Sequence, residues 1–247
     1  MRKILFLCCL LTVFFVSCKT HLSDQAIICG QLSNGSGEKI VLTELDTKSI
    51  RKVDSIILDE GGKFSFLVKV PEPGFYMLQS QHGKVLVLFV RPNDKIELTG
   101  NMTSFPDNIA VKGPEETLLL EDFFRFTSQN EKKVDSLENL LVEKQESEGY
   151  FRLTQKVDSA FRQIWETQRN YEKDFIGRHP SSLTSLIVLN YAFGLNTVLS
   201  PVEDSLIYQR LDRALMIAYP GNKHAAYHHQ RMLEFRREQE MKKGKKQ

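Results

Sequence analysis

The stretch VDSIILDEGGKFSFLVKV, Val53 to Val70, decides the fold. Asp59-Glu60-Gly61-Gly62 is a turn cluster between two runs rich in β-branched and aromatic residues, and Phe64, Phe66, Val68 and Val70 fall on one face of the strand that returns from it. Upstream, AIICGQL alternates weakly, Asn34-Gly35-Ser36-Gly37 marks a turn, and KIVLTEL carries Ile40, Leu42 and Glu44 on one face. Downstream, Pro71-Glu72-Pro73-Gly74 breaks the pattern, and FYMLQSQ and KVLVLFV pair around His82-Gly83. The run VLVLFV has no polar face, which predicts a central strand covered on both sides. After the turn Arg91-Pro92-Asn93-Asp94 comes KIELTG; short strands at this spacing predict an antiparallel β-sandwich over residues 26–113.

From Pro114 the period becomes helical. Leu119, Phe123, Phe126, Val134, Leu137 and Leu141 form one stripe, and Phe151, Val157, Phe161, Ile164 and Trp165 form a second beyond Gly149. Gly177 and Pro180 stop that second helix, and Ser181 or Ser182 starts a third. The apolar segment Leu183 to Leu199 reads as a buried helix, interrupted for any membrane role by Ser185, Asn190, Asn196 and Thr197. A fourth helix opens at Pro201-Val202-Glu203 and closes at Pro220-Gly221-Asn222, and a last one begins near Lys223. The expected class is α+β: an N-terminal antiparallel β-sandwich, then a C-terminal helical bundle or stalk over residues 114–240 and a basic flexible tail over 241–247. There is no internal repeat.

The N-terminus is an address. Arg2 and Lys3 precede the apolar run ILFLCCLLTVFFV and then Ser17-Cys18. This resembles a bacterial lipoprotein signal, with Phe15-Val16-Ser17-Cys18 as the lipobox and Phe15 standing where Leu is usual. The resemblance implies a signal peptide over 1–17, a diacylated Cys18 and a lipid-anchored linker over 18–25. Two or three acyl chains hold a soluble domain on a membrane where one is marginal. Without Arg2 and Lys3 the mature chain carries 31 basic and 31 acidic residues, a balance that disfavours nucleic acid as a partner. The run Lys242-Lys243-Gly244-Lys245-Lys246 reads as a solvated terminus.

The order of these pieces resembles the N-terminal domain of unknown function of Bacteroidota lipoproteins whose C-terminal half is a thioredoxin-like, thiol–disulfide oxidoreductase domain. The resemblance rests on VDSIILDEGGKFSF, GFYML, VLVLFVRPNDKIELTG and VKGPEET, and on FIGRHPSSLTSLIVL further on. These are scaffold signatures. The longer relatives carry a WCxxC redox site, whereas Trp165 is the sole tryptophan here and has no cysteine near it. The resemblance therefore implies a sandwich, helices and an anchor without the redox half, and no catalytic residue carries over. Lys19-Thr20-His21 lack the acidic stretch expected after Cys18 in surface-exported lipoproteins of that phylum, which points to the periplasmic face of the outer membrane.

Candidate sites are few. Cys8 and Cys9 leave with the signal, so Cys29 is the single free thiol, without a resolving partner for a dithiol cycle. Within AIICGQL it reads as a small, inert core residue. His224 and His228 stand four apart on the last helix, a spacing that can share a metal, but Ala225, Ala226 and Tyr227 replace the glutamate of His-Glu-x-x-His. Glu234 and His179 are the conceivable third ligands, and the plainer reading is a polar face near a helix end, with no metal and no cofactor. Asp54, Asp59, Glu60 and Asp94 sit at turns without calcium-loop spacing. Asp-Ser before an apolar residue recurs at Ser55, Ser136, Ser159 and Ser205 and is similar to the O-glycosylation acceptor of exported Bacteroidota proteins, with Ser55 favoured. The expected function is a non-enzymatic, lipid-anchored periplasmic binding or accessory module assisting a separate thioredoxin-like partner. The alternatives are an enzyme working through His224/His228 or Cys29, or a remnant of a longer redox lipoprotein.

Overall fold

The computed structural model describes residues 24–194 and 196–244. Among the described residues, two four-stranded sheets and five α-helices build three layers, with a separate two-stranded ribbon. The outer sheet runs β4 (Lys63–Lys69), β1 (Gln25–Ser33), β7 (Lys95–Asn101), β8 (Ala110–Lys112). The inner sheet runs β3 (Ile50–Ile57), β2 (Lys39–Leu45), β5 (Gly74–Ser80), β6 (Val85–Val90). Pairing is antiparallel except between β1 and β7, which are parallel. The helices α1 (Glu115–Glu143), α2 (Tyr150–Arg178), α3 (Thr184–Leu189), α4 (Ser205–Ala218) and α5 (Lys223–Gly244) lie against the far face of the inner sheet.

Alternation along the strands sorts side chains between two cores. Ile28, Phe66, Val68, Leu42, Tyr76, Leu78, Leu88 and Ile96 fill the space between the sheets. Phe75 and Phe89, one position out of step with Tyr76 and Leu88, turn the other way and meet Leu120, Phe123, Phe175 and Leu211 of the helical layer. The inner sheet is thus apolar on both faces, which accounts for VLVLFV. That run is nevertheless an edge strand, not the central one expected, because coverage by helices and position in the hydrogen-bond order are separate properties. Thr117 Oγ1 donates to the Phe89 carbonyl at 2.7 Å, with Thr117 buried. Thr117→Val keeps the shape but leaves that carbonyl without its donor. Stability should fall by about 1–2 kcal/mol, measured as a lower urea midpoint at unchanged slope.

Three further expectations are corrected. Val53–Val70 is not a hairpin in one sheet: β3 pairs with β2, and β4 pairs with β1. The Asp59 turn reverses the chain, its Oδ1 accepting from the Gly61 and Lys63 amides at 2.9 and 2.8 Å, but the two strands then join opposite layers. Gly62 lies at φ 71°, and a Cβ there would stand 2.0 Å from the Leu32 carbonyl oxygen, so only glycine fits this crossing. The segment Leu183 to Leu199 is helical only to Leu189; the two-residue strands β9 (Ala192–Phe193) and β10 (Asn196–Thr197) follow, with Gly194 at φ 64°. The second helical stripe also shifts: Phe151 is 73% exposed, while Gln168 and Glu172 are fully buried.

A cleft at the junction of the sandwich and the helices

The sandwich and the helical layer are joined by polar contacts around the start of α5. Asn222 donates through Nδ2 to the Glu72 carboxylate at 3.0 Å and to the Pro73 carbonyl at 2.8 Å, and Glu72 also accepts from the Lys223 amide at 3.1 Å. The Lys223 ammonium binds the buried Glu44 carboxylate, which Arg51 holds from the other side. Burial works to raise the Glu44 carboxyl, but hydrogen bonds and charge from Lys223 and Arg51 outweigh it and hold the group below its ordinary value.

Beside this joint opens a cleft of about 670 Å³. Its walls come from the ends of β2 and β5 (Leu45, Asp46, Phe75), from α3 and the segment after it (Leu186, Asn190, Tyr191), from Tyr208 of α4, and from His224, Tyr227, His228, Arg231, Met232 and Phe235 of α5. Mostly apolar and aromatic walls with a few polar groups are the usual make-up of a small-molecule site. His224 and His228 are 9% and 8% exposed, so the reading of a solvated helix face is overturned. The helix ends near them in sequence, but tertiary packing closes over this turn. The Nε2 atoms of both rings have no hydrogen-bond partner.

The two rings face different walls. His224 stands edge-on to Phe75, with centroids 5.1 Å apart, and a Cβ on Gly74 would lie 3.5 Å from its Nε2. His228 stacks on Tyr208. Burial, with Lys223 alongside, drives His224 down to about 4, and burial also lowers His228, so both rings are neutral at pH 7. Among the described residues, no group of three or more His, Cys, Asp or Glu side chains is arranged to hold a metal ion. Glu234 binds Gln230 at 3.0 Å, and His179 packs on Phe175, so neither completes a site with the pair. The neighbouring His229 is a structural group, its Nδ1 lying 3.0 Å from buried Asp212.

A second cavity, about 390 Å³, lies between β6, Ile109, Val111 and α1. Its charged rim is internally paired: Lys132 with Asp107 at 2.8 Å, Arg125 with Glu121 at 3.4 Å, and Glu131 with the Tyr191 hydroxyl. Sequence reasoning missed the polar seam between α1 and α2. Asn130 Nδ2 donates to Gln168 Oε1, and Gln168 Nε2 donates to Thr127 Oγ1 and Glu172 Oε1, each at 3.0 Å. All four side chains are buried, and Glu172 Oε2 has no partner. An i, i+4 pair of long polar residues, Gln168 and Glu172, was the available signal.

Cys29 is free but is not a core residue. Ile28 points into the sandwich, so its neighbour Cys29 lies on the outer face of β1, half-buried, across from Ser65 and Glu97. Asp59 and Asp94 bond local backbone amides, as their turn positions suggest. Ser136 and Ser159 are exposed on α1 and α2, while Ser55 and Ser205 are half-buried. Cys18 and residues 245–247 of the basic tail lie outside the described residues. Among the described residues, no helix is long and apolar enough to cross a membrane.

The fold is therefore an α+β protein of two β-sheets followed by helices, with a ligand-sized cleft where they meet. Residues 27–120, the sandwich and the first turns of α1, match the family described as Domain of unknown function (DUF4369). No curated protein matches the chain.

Proposed function

We propose that this protein is a non-enzymatic binding and accessory module of the cell envelope, held on the periplasmic face of the outer membrane by acyl chains on Cys18. Its ligand enters the junction cleft. The observation that carries the reading is the cleft itself, about 670 Å³ with mostly apolar and aromatic walls and a few polar groups, the size and make-up of a small-molecule site. The anchor is supported by the sequence around Cys18. Six residues, 19–24, separate it from the first strand, and they can span at most about 20 Å, so the sandwich would work close to the bilayer.

The family reading is finer than the domain match: an N-terminal module of Bacteroidota thioredoxin-like lipoproteins, acting beside a separately encoded thioredoxin-like protein. It is supported by the order of signatures from the sandwich into FIGRHPSSLTSLIVL. Cross-linking of the protein in its native envelope, followed by mass spectrometry, tests the proposal. A diacyl or triacyl mass on the peptide beginning at Cys18 is expected, together with a recurrent thioredoxin-like partner. Cys18→Ala should move the protein from the membrane to the soluble fraction. An unmodified Cys18, or thiol–disulfide turnover by this chain alone, would overturn it.

A further inference from the structure

Four strand edges bound the two large sheets, and three of them are blocked. β3 carries Arg51, Lys52 and Asp54 and a register shift against β2. β4 has a lysine at each end, and β8 is three residues long and ends at Lys112. Charges, bulges and shortness are what keep a further strand from pairing at an edge. The fourth edge, β6, is six apolar residues with no charge, no proline and an unbroken register against β5.

The hairpin fixes which backbone groups of β6 face outward. The Ser80 amide donates to the Lys84 carbonyl at 2.9 Å, so these two form a hydrogen-bonded pair. In an antiparallel ladder such pairs alternate with pairs whose N–H and C=O groups turn away from each other. Val85, Val87 and Phe89 are of the second kind and aim these groups at the free edge. The Thr117 hydroxyl, outside the sheet, bonds the Phe89 carbonyl, as this phase requires. Among the described residues, nothing bonds the outward groups of Val85 and Val87.

In front of them lies the cavity of about 390 Å³, with Ile109 and Val111 on one flank and Phe124, Thr127 and Ser128 of α1 on the other. Walls on both flanks admit a single chain, whereas the β6 of a second copy would bring its own α1 with it. The charges at the rim are paired with one another, Lys132 with Asp107 and Arg125 with Glu121, which favours an uncharged occupant.

We infer that β6 is a docking edge for an extended, uncharged segment of a partner protein, which adds as a strand in front of Val85 and Val87. About three residues suffice, because the outer two stand about 7 Å apart, as Val85 and Val87 do, and each exchanges N–H···O=C bonds with one of them. Opposite residues share a face. The middle side chain therefore falls beside Leu86, against Ile109 and Val111 at the open side of the sandwich core, and should be apolar. The outer two fall on the α1 side, beside Thr127 and Ser128, and should be small. This edge is separate from the junction cleft and needs no anchor.

Fluorescence anisotropy of the full chain in detergent tests the inference, with fluorescein-labelled Ser-Ala-Leu-Ala-Ser-amide as the probe and unlabelled N-methyl derivatives as competitors. The probe should bind. N-methylation at either alanine removes an N–H that donates to β6 and should weaken competition about tenfold or more. N-methylation at the leucine, whose N–H points away from β6, should change it by less than about twofold. Val87→Pro removes one outward donor and leaves the ladder to β5 intact, so it should also weaken the probe about tenfold. Ser128→Arg narrows the groove from the helix side and keeps the test open if Val87→Pro fails to fold. Hydrogen exchange at the Val85 and Val87 amides should slow when the probe is added. Equal affinity for all N-methyl peptides, no binding of the probe, or dimerisation of the chain that displaces the probe would overturn it. The acyl mass on Cys18 is read separately, so this edge can fail while the envelope module stands.

Discussion

Glu172→Gln should stabilise the protein at pH 7 by about 3 kcal/mol and leave it unchanged at pH 4. Glu172 is fully buried in the seam between α1 and α2, with one carboxyl oxygen held by Gln168 and the other without a partner. Burial pushes the group from its ordinary 4.5 up to about 8, against smaller lowering effects of Gln168 and Arg169. The folded protein therefore holds this carboxyl protonated while the unfolded chain ionises it. The stability tied to the protonated form is whole below about pH 4.5 and is lost as pH rises towards 8, at about 1.4 kcal/mol per pH unit. Glutamine has the same shape and no proton to lose. Its melting temperature should exceed that of the parent by roughly 6–12 °C at pH 7, for a chain of this length. The two melting curves should coincide at pH 4. A variant equally destabilised at both pH values would show that Glu172 is ionised or partnered in the fold, and would refute this account of the seam.

Asp204→Ala should have the largest cost of any single polar change, about 3–5 kcal/mol. Asp204 is buried just ahead of α4. Its carboxylate accepts from Arg169 at 2.9 Å, from Lys173 at 3.0 Å and from the Ser200 amide at 3.0 Å, tying α2 to the start of α4. Burial works to raise this carboxyl, but the Ser200 amide, Lys173 and Arg169 together hold it below its ordinary 3.8. Its contribution is therefore whole above about pH 4 and is lost as pH falls further. Alanine leaves two cations facing each other with the Ser200 amide unbonded. Asp204→Asn, which can still accept from that amide, should lose distinctly less. Urea denaturation at pH 7 reads both, and equal losses for alanine and asparagine would mean that the Ser200 amide bond contributes nothing and the lost charge accounts for the whole effect.

Both groups show where sequence reasoning thins out. Asp204-Ser205 was legible as a candidate glycosylation motif beside a helix expected to open at Pro201-Val202-Glu203, whereas the two cations that neutralise Asp204 come from positions 169 and 173. Glu172 looked like one more charged residue of a long amphipathic helix. Its place is set by the buried seam it shares with Gln168, which in turn bonds Thr127 and Asn130 of α1, and no local pattern encodes that. The histidine pair was visible as a spacing. That its rings are buried, neutral and turned to different walls depends on Phe75, from the sandwich, and Tyr208, from α4.

Local chemistry alone determined the class of this protein. Period-two runs bounded by Gly, Pro, Asn and Asp specified strands, and the change to a helical period at Pro114 specified the second half, because alternation and helical spacing are imposed by backbone geometry over a few residues. The resemblance of Phe15-Val16-Ser17-Cys18 to a lipobox is likewise read from a few adjacent residues. Tertiary structure decided which strands pair, since β3 and β4 share a tight turn yet belong to different sheets. It also decided that the helices form a third layer over the inner sheet, where VLVLFV becomes a covered edge strand. The cleft belongs to the same category. Its walls are drawn from residues up to 190 positions apart, Leu45 to Phe235, and such contacts arise only when whole elements bury their apolar faces together.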